Sequence, residues 1–212
     1  MTDHEHEHEH EHEHEHDHGH DHEEHGHEHE HTFDWATELE MTREAARHYY
    51  DHQFNWQGHG PPEGFDGPRY FTPAPEWRLG ARLDSSVAGA GEKVTLATST
   101  GKLREMGVAG DLVFDAGGRE QRLRSFVTTD AEGYPVLFVP FRDATSGVET
   151  YGAGRYLEVA YSPDQTEMEL DFNYAYNPSC VYSPAYDCPY PPSQNRLDVA
   201  VRAGEMLPQF GK

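Results

Sequence analysis

The chain has 212 residues, 39 of them acidic against 16 lysines and arginines, for a formal net charge of −23. Charge of that sign argues against nucleic acid and anionic membrane surfaces as partners, since both are recognised through clustered cations. The length suits one ordinary domain, and two cysteines are too few for a disulfide framework.

The first 31 residues stand apart in composition, with 14 of the 17 histidines and 13 acidic residues. His4, His6, His8, His10, His12, His14, His16, His18, His20, His22, His25, His27, His29 and His31 alternate largely with Glu or Asp, and residues 3–31 include no apolar side chain. Nothing there offsets the entropy of ordering, so residues 1–31 are expected to be a disordered tail and residues 32–212 a single β-rich domain. Neutral imidazoles ligate divalent transition metals (zinc, nickel, cobalt or copper), and the neighbouring carboxylates add charge and weaker oxygen ligation. In an extended chain the H-x-H spacing puts successive imidazoles on one face, roughly 6.6 Å apart. An alternating His–Glu tract is also the pattern of an affinity tag, but the breaks at Asp17, Gly19, Glu23-Glu24 and Gly26 favour a native tail.

Without the tail, 26 acidic residues remain against 16 basic ones, a net charge of −10, and only Lys93, Lys102 and Lys212 are lysines. An acid-rich, lysine-poor surface stays soluble where salt screens self-repulsion, which points to a halophilic host, although plain compositional bias reads the same way. The charged N-terminus lacks a secretory apolar segment and no later run is apolar enough to span a bilayer, so a soluble cytoplasmic protein is expected.

Residues 34–54 predict an amphipathic helix capped by Asp34, with Trp35, Leu39, Ala46, Tyr49 and Tyr50 on a broad stripe. His48 and His52, four apart on one face, suit a metal pair or simply an exposed polar face. Glycine and proline make residues 57–68 a loop. Strands are expected at 77–84, 93–98, 102–107, 110–115, 119–127, 135–140, 155–160, 167–172 and 198–202. They are separated by turn chemistry at Thr100-Gly101, Ala116-Gly117-Gly118, Ala131-Glu132-Gly133 and Ser162-Pro163-Asp164. Between the last two strands runs a segment dense in tyrosine and proline that holds both cysteines. Its prolines fix φ and remove donors, so its middle is neither helix nor central strand. The fold class that follows is mainly β. An antiparallel meander closes into a barrel or sandwich, with one N-terminal amphipathic helix and a long Pro/Tyr-rich C-terminal loop.

Three stretches, FDGPRYFTPAPEWRLGARL (65–83), FVPFRDATSGVETYGAGRYLEV (138–159) and LDFNYAYNPSCVYSPAYDCPYPPSQNRLDVAVRAGE (170–205), resemble the domain of unknown function 1684 family in its shorter form. The resemblance covers the body from about residue 40 onward and implies a β-rich single domain with no assigned activity. The chain departs from the family pattern at AGEMLP, where AGEK is usual, and the histidine tail lies outside the resemblance.

Two regions offer ligand chemistry. Around a glycine-rich turn, Arg142, Asp143, Thr145, Glu149, Tyr151 and Arg155 suit a small polar or anionic molecule, or an ion-pair network bracing a barrel end. Asn173, Tyr176, Asn177 and Asn195 either aim amides and a phenol into a pocket with that turn or serve turns and core. Cys180 and Cys188 between them read as core thiols, a loop-stapling disulfide, or two thiolate ligands at an unusual zinc spacing. A nucleophilic cysteine would need a base, and His59 is the one histidine of the body outside the helix. No P-loop, dinucleotide fingerprint, HExxH or GxSxG occurs, so no nucleotide cofactor is expected.

Imidazole binds metal only when neutral, with an ordinary pKa of about 6.5 that neighbouring carboxylates raise. Nickel bound calorimetrically at pH 7.5 should therefore be released by pH 5, with the near-ultraviolet signal of the body unchanged. A chain beginning at Thr32 should bind less nickel than the full chain. Metal retained at pH 5 would place the site in the body instead, at Cys180 and Cys188 or at His48 and His52.

Overall fold

The computed structural model describes residues 34–58 and 60–210, so the histidine-rich tail and His59 lie outside the described residues. Helix α1 (Trp35–His52) is followed by strands β1 (Arg78–Asp84), β2 (Lys93–Ala97), β3 (Leu103–Ala116), β4 (Arg119–Thr129), β5 (Pro135–Phe141), β6 (Arg155–Ala160) and β7 (Glu167–Asp171). All pairings are antiparallel, in the order β6-β5-β4-β3-β1-β7, with β2 alongside the first half of β3. The sheet curls until its ends almost meet. Tyr156 on β6 and Tyr176, just past β7, exchange N–H···O bonds of 2.9 Å each and bring the barrel close to closure. Among the described residues, no helix is long and apolar enough to cross a membrane.

Two expectations need correction. The strands expected at 102–107 and 110–115 are one strand, β3, bent at a bulge between Val108 and Gly110. The bend draws the chain so close to β1 that a Cβ at Gly110 would lie 2.6 Å from the Asp84 carbonyl oxygen, so the glycine is a packing requirement as much as a turn signal. The strand expected at 198–202 is not in the sheet. Its alternation is real, since Val201 and Ala203 are buried while Arg202 faces out. Its Val199 carbonyl accepts from the Ala144 N–H at 3.1 Å, but the Val201 carbonyl is taken by an arginine side chain rather than by a neighbouring strand.

The alternation of each strand fills the barrel with Leu83, Leu112, Phe114, Leu123, Leu137, Val139, Phe141, Leu157, Leu170 and Phe172, joined by Leu197, Val201 and Ala203 from the C-terminal segment. Strand β5 is buried on both faces, from Val136 to Phe141. Its outer residue Phe138 packs edge-on against Tyr156, and a second cluster with Leu96, Val108, Phe126 and Cys188 is roofed by Tyr176 and Tyr186 of the tyrosine-rich segment. A third cluster, of Tyr50, Phe54 and Tyr182, fastens the end of α1 to the same segment. At its other end, α1 is capped by Asp34 and held by a Trp35 Nε1–H···Oδ2 bond of 2.7 Å to Asp171. The helix is thus pinned at both ends across residues 173–177 and 205.

Gly204 turns the chain into that floor at φ +74°, where a Cβ would press on the carbonyl oxygens of Ala175 and of Phe172, the latter at 2.7 Å. Gly204→Ala should destabilise the fold by roughly 2–4 kcal/mol in urea unfolding, combining a left-handed φ with a backbone clash. Parental stability of the variant would show that the segment can shift to relieve the contact.

Candidate functional site

Arg155, at the start of β6, is 1% exposed, and its partner Asp143 is as deeply buried. Nη2 donates to Asp143 Oδ2 at 2.7 Å and to the Val201 carbonyl at 2.9 Å, while Nη1 donates to the carbonyls of Ala203 and Glu205. Those three carbonyls come from alternate residues on either side of the turn at Gly204, and one planar guanidinium gathers them where no neighbouring strand supplies donors. Asp143 is completed by the backbone N–H and hydroxyl of Thr145, whose hydroxyl also meets that of Thr150 at 2.8 Å. Desolvation pulls the Arg155 pKa down and Asp143 opposes it, as for a buried charge whose partners are all protein groups.

The other residues singled out from the sequence fall into separate places. Glu149 pairs with Arg202 at 2.9 Å on the surface. Arg142 donates from Nε to the Ala153 carbonyl at 3.2 Å. Asn195 fills a gap in the sheet. The register that pairs Phe126 with Phe138 sets Arg124 opposite Pro140, which has no N–H to give. The Asn195 amide accepts from Arg124 N at 2.7 Å and donates to the carbonyls of Arg124 and Pro140 at 2.8 and 2.7 Å. Asn173 likewise bonds both backbone groups of Ala74, at 2.8 and 2.9 Å. His48 and His52 lie side by side on the helix surface, their rings tilted by 52° with centroids 4.5 Å apart, and the described residues contain no cluster of three or more groups fit to hold a metal.

Cys180 and Cys188 are both free thiols, with the Cys180 N–H 3.4 Å from Cys188 Sγ. Their mutual hydrogen bond makes Cys180 the more acidic of the two, and the Ser99 and Tyr151 hydroxyls add to that, while burial opposes it. Burial is also the leading cause that raises the Tyr151 phenol.

Among the described residues, unpaired chemistry collects at a cavity of about 280 Å³ beneath α1. Leu39, Thr42, Arg43, Ala46, Tyr49 and Tyr50 face it from the helix, and Asn173 through Asn177, Ser179, Tyr70 and Glu205 face it from below. Glu205 is 3% exposed, and its Oε2 accepts from the Asn177 N–H at 2.8 Å and the Tyr182 hydroxyl at 3.0 Å. Its backbone is clasped on both sides: its N–H reaches the Ala175 carbonyl at 2.7 Å, and the next N–H, of Met206, reaches that of Arg69 at 2.7 Å. Burial first, then the nearby Glu205 carboxyl, raises the phenols of Tyr50, Tyr70 and Tyr182. Among the described residues, three buried polar side-chain atoms lack a hydrogen-bond partner: Asn177 Oδ1 and Arg43 Nε and Nη2. Both residues line this cavity. Such an arrangement can hold a small molecule with an acceptor at one end and a donor at the other.

Of these residues, the sequence marks Asn173, Tyr176 and Asn177 as site candidates and Leu39, Ala46, Tyr49 and Tyr50 only as the apolar stripe of the helix. Arg43 looks like any polar helix residue, although its place at i+4 from Leu39 sets it on the inward face. Glu205 follows Val201 and Ala203 in strict alternation, which marks it as an inward carboxylate.

A family model described as protein of unknown function (DUF1684) matches residues 63–206, a stretch holding Tyr70, Asn177 and Glu205 but not α1. The solution NMR structure of an uncharacterized protein from Haloarcula marismortui is 36% identical, with a TM-score of 0.62 over 82% of this chain and 94% of that one. No curated protein matches the chain.

Burial drives the Glu205 pKa from 4.5 up to about 7. Between those two values the folded chain keeps a proton that the unfolded chain has released, so this contribution is full at low pH and is lost as pH rises through 7. Glu205→Gln copies the neutral carboxyl and should remove the effect. Relative to the variant, the parent should lose roughly 3 kcal/mol of stability between pH 4 and pH 8. Urea unfolding across that range measures the difference, and parallel pH profiles would exclude Glu205 as the titrating group.

Proposed function

The chain belongs to the DUF1684 family of proteins of unknown function, and from its geometry we propose that it is a small-molecule-binding protein whose site is the cavity beneath α1. The observation that carries this reading is that all the unpartnered buried side-chain atoms of the described residues, on Arg43 and Asn177, belong to residues lining one cavity. Leaving a buried donor or acceptor unmatched costs about 1–3 kcal/mol each, and a ligand supplying the missing partners recovers that cost. The volume sits at the small end of ligand pockets, suited to one ring with a short chain. Of the pocket expected between residues 142–155 and 173–195, the site keeps only 173–177 and Ser179, and it takes its other wall from α1 in place of the 142–155 turn, where Asp143 and Arg155 are engaged with the protein itself.

A second function belongs to the tail. Its 14 histidines and interleaved carboxylates support sequestration or delivery of a divalent transition metal, zinc, nickel, cobalt or copper. The two functions are chemically independent, because the cavity groups are an arginine, an amide and a carboxyl rather than imidazoles.

Ala46 lines the cavity from a half-buried position on α1, so Ala46→Phe should fill it without disturbing the barrel. Saturation-transfer NMR with a library of single-ring fragments should give hits on the parent that are lost in Ala46→Phe. Hits retained in the variant would place the site elsewhere.

A further inference from the structure

We infer that the ligand of this cavity is an organic carboxylate with an uncharged, apolar body, seated with its anion on Arg43 and its far end towards Asn177 and Glu205. The inference rests on the cavity reading above and adds to it the class of molecule and its direction.

The two unpaired donors of Arg43 are Nε and Nη2, which share one edge of the guanidinium. Their N–H bonds are parallel, the fork that a carboxylate meets with both oxygens at once. The same guanidinium lies over the Tyr70 ring, 4.6 Å from its centroid, so its plane is held rather than swinging in solvent. Burial lowers the Arg43 pKa, the mark of a cation whose hydration has been stripped without full compensation. A monoanion supplies that compensation. A doubly charged phosphate on a single half-buried arginine would leave charge uncompensated.

The opposite end of the cavity reverses the preference. Asn177 Oδ1 has no donor, and its amide nitrogen is already used on the Met206 carbonyl at 2.8 Å and the Tyr182 hydroxyl at 3.3 Å. Glu205 Oε2 beside it is already filled by the Asn177 N–H and the Tyr182 hydroxyl. The open Asn177 acceptor repels an anion and welcomes a hydroxyl or amine donor. Between the ends, the walls are Leu39, Ala46, Tyr49, Tyr50, Tyr174 and Ala175, which suit an aromatic or aliphatic body.

The outer side of Arg43 opens onto a larger polar hollow of about 520 Å³, which Arg43 and Tyr70 also line. That hollow contains Arg47 and Arg69 but also Glu40, Glu44 and Asp66, and Arg47 is engaged with Asp66 and Glu44. Arginines and carboxylates are matched there in number, so the hollow has no strong field to attract anions at long range. Selection for a carboxylate therefore falls on the geometry of Arg43 itself.

The test uses three chains, the parent, Arg43→Leu and Ala46→Phe, each checked by near-ultraviolet circular dichroism, and two probes of nearly equal shape, 3-phenylpropanoate and its neutral amide. Dissociation constants come from NMR shift titration. The parent should bind the acid at least tenfold more tightly than the amide, Arg43→Leu should lower the acid to the level of the amide, and Ala46→Phe should lose both. An amide that binds the parent as well as the acid does, or an acid that binds Arg43→Leu undiminished, overturns the carboxylate assignment. So does an acid that fails to bind the parent at 10 mM. If both probes are lost in Ala46→Phe while showing no preference for the acid, the cavity stands and only the ligand class falls. If both bind Ala46→Phe as they bind the parent, the cavity reading itself falls. Should Arg43→Leu not fold, Arg43→Gln, which keeps one amide and loses the charge, takes its place with the same outcomes.

Discussion

The fold depends on one buried arginine. Arg155 spends its donors on Asp143 and on the carbonyls of Val201, Ala203 and Glu205, and so continues by side chain the attachment that backbone bonds between residues 142–144 and 195–199 begin. Breaking one side of such a buried pair costs about 3–5 kcal/mol, because the remaining charge is left in a place where water cannot reach it. A lysine could not do the same work, since a point charge on a flexible stem lacks the planar set of donors that spans three alternate carbonyls. By fixing the carbonyl of Glu205, Arg155 also fixes where the Glu205 carboxyl stands. The floor of the cavity beneath α1 is in this sense a consequence of the barrel's main polar contact.

The same substitution of side chain for backbone recurs at two asparagines. Asn195 supplies the donors that Pro140 cannot, and Asn173 pairs with Ala74 as a strand residue would. Both asparagines are 1% exposed, and an amide buried that deeply would be a net loss if any of these bonds were missing. Together with Arg155 they explain how a long segment with almost no regular structure packs against a barrel with its polar groups satisfied. The prolines keep that segment out of the sheet, the tyrosines cover β5 and α1, and a few polar side chains close the hydrogen bonds that result.

Against this thorough pairing, the exceptions at Arg43 and Asn177 carry information. A chain that satisfies the deeply buried groups of Asp143, Asn173 and Asn195, yet leaves a guanidinium edge and an amide oxygen unmatched beside one cavity, has given up stability there. Sites that bind ligands are where such concessions are found. The position of α1 is consistent with this. It is held at its two ends, by Trp35 on Asp171 and by Tyr50 and Phe54 on Tyr182, while its middle stands over the cavity rather than on a packed floor.

Much of the architecture is legible in the residue order, because strand alternation, glycine turns and a capped amphipathic helix are local. The helix from Trp35, the turns at Gly101, Gly117, Gly133 and Pro163, and most strand positions follow from periods of 3.6 and 2. The alternation Val201, Ala203, Glu205 was also visible, but it gives only a facing direction, and the same pattern serves a strand or a segment held by an arginine. The glycine-rich turn of 142–155 stands out for its charges, yet charge in sequence does not say whether a partner waits within the protein. For Asp143 and Arg155 it does, and for Arg43, an ordinary helix residue in the sequence, the described residues supply none to Nε and Nη2. Pairing is decided by residues 12 to more than 100 positions apart, so the sequence by itself determined which residues face inward, and the tertiary structure alone decided which of them are left unsatisfied.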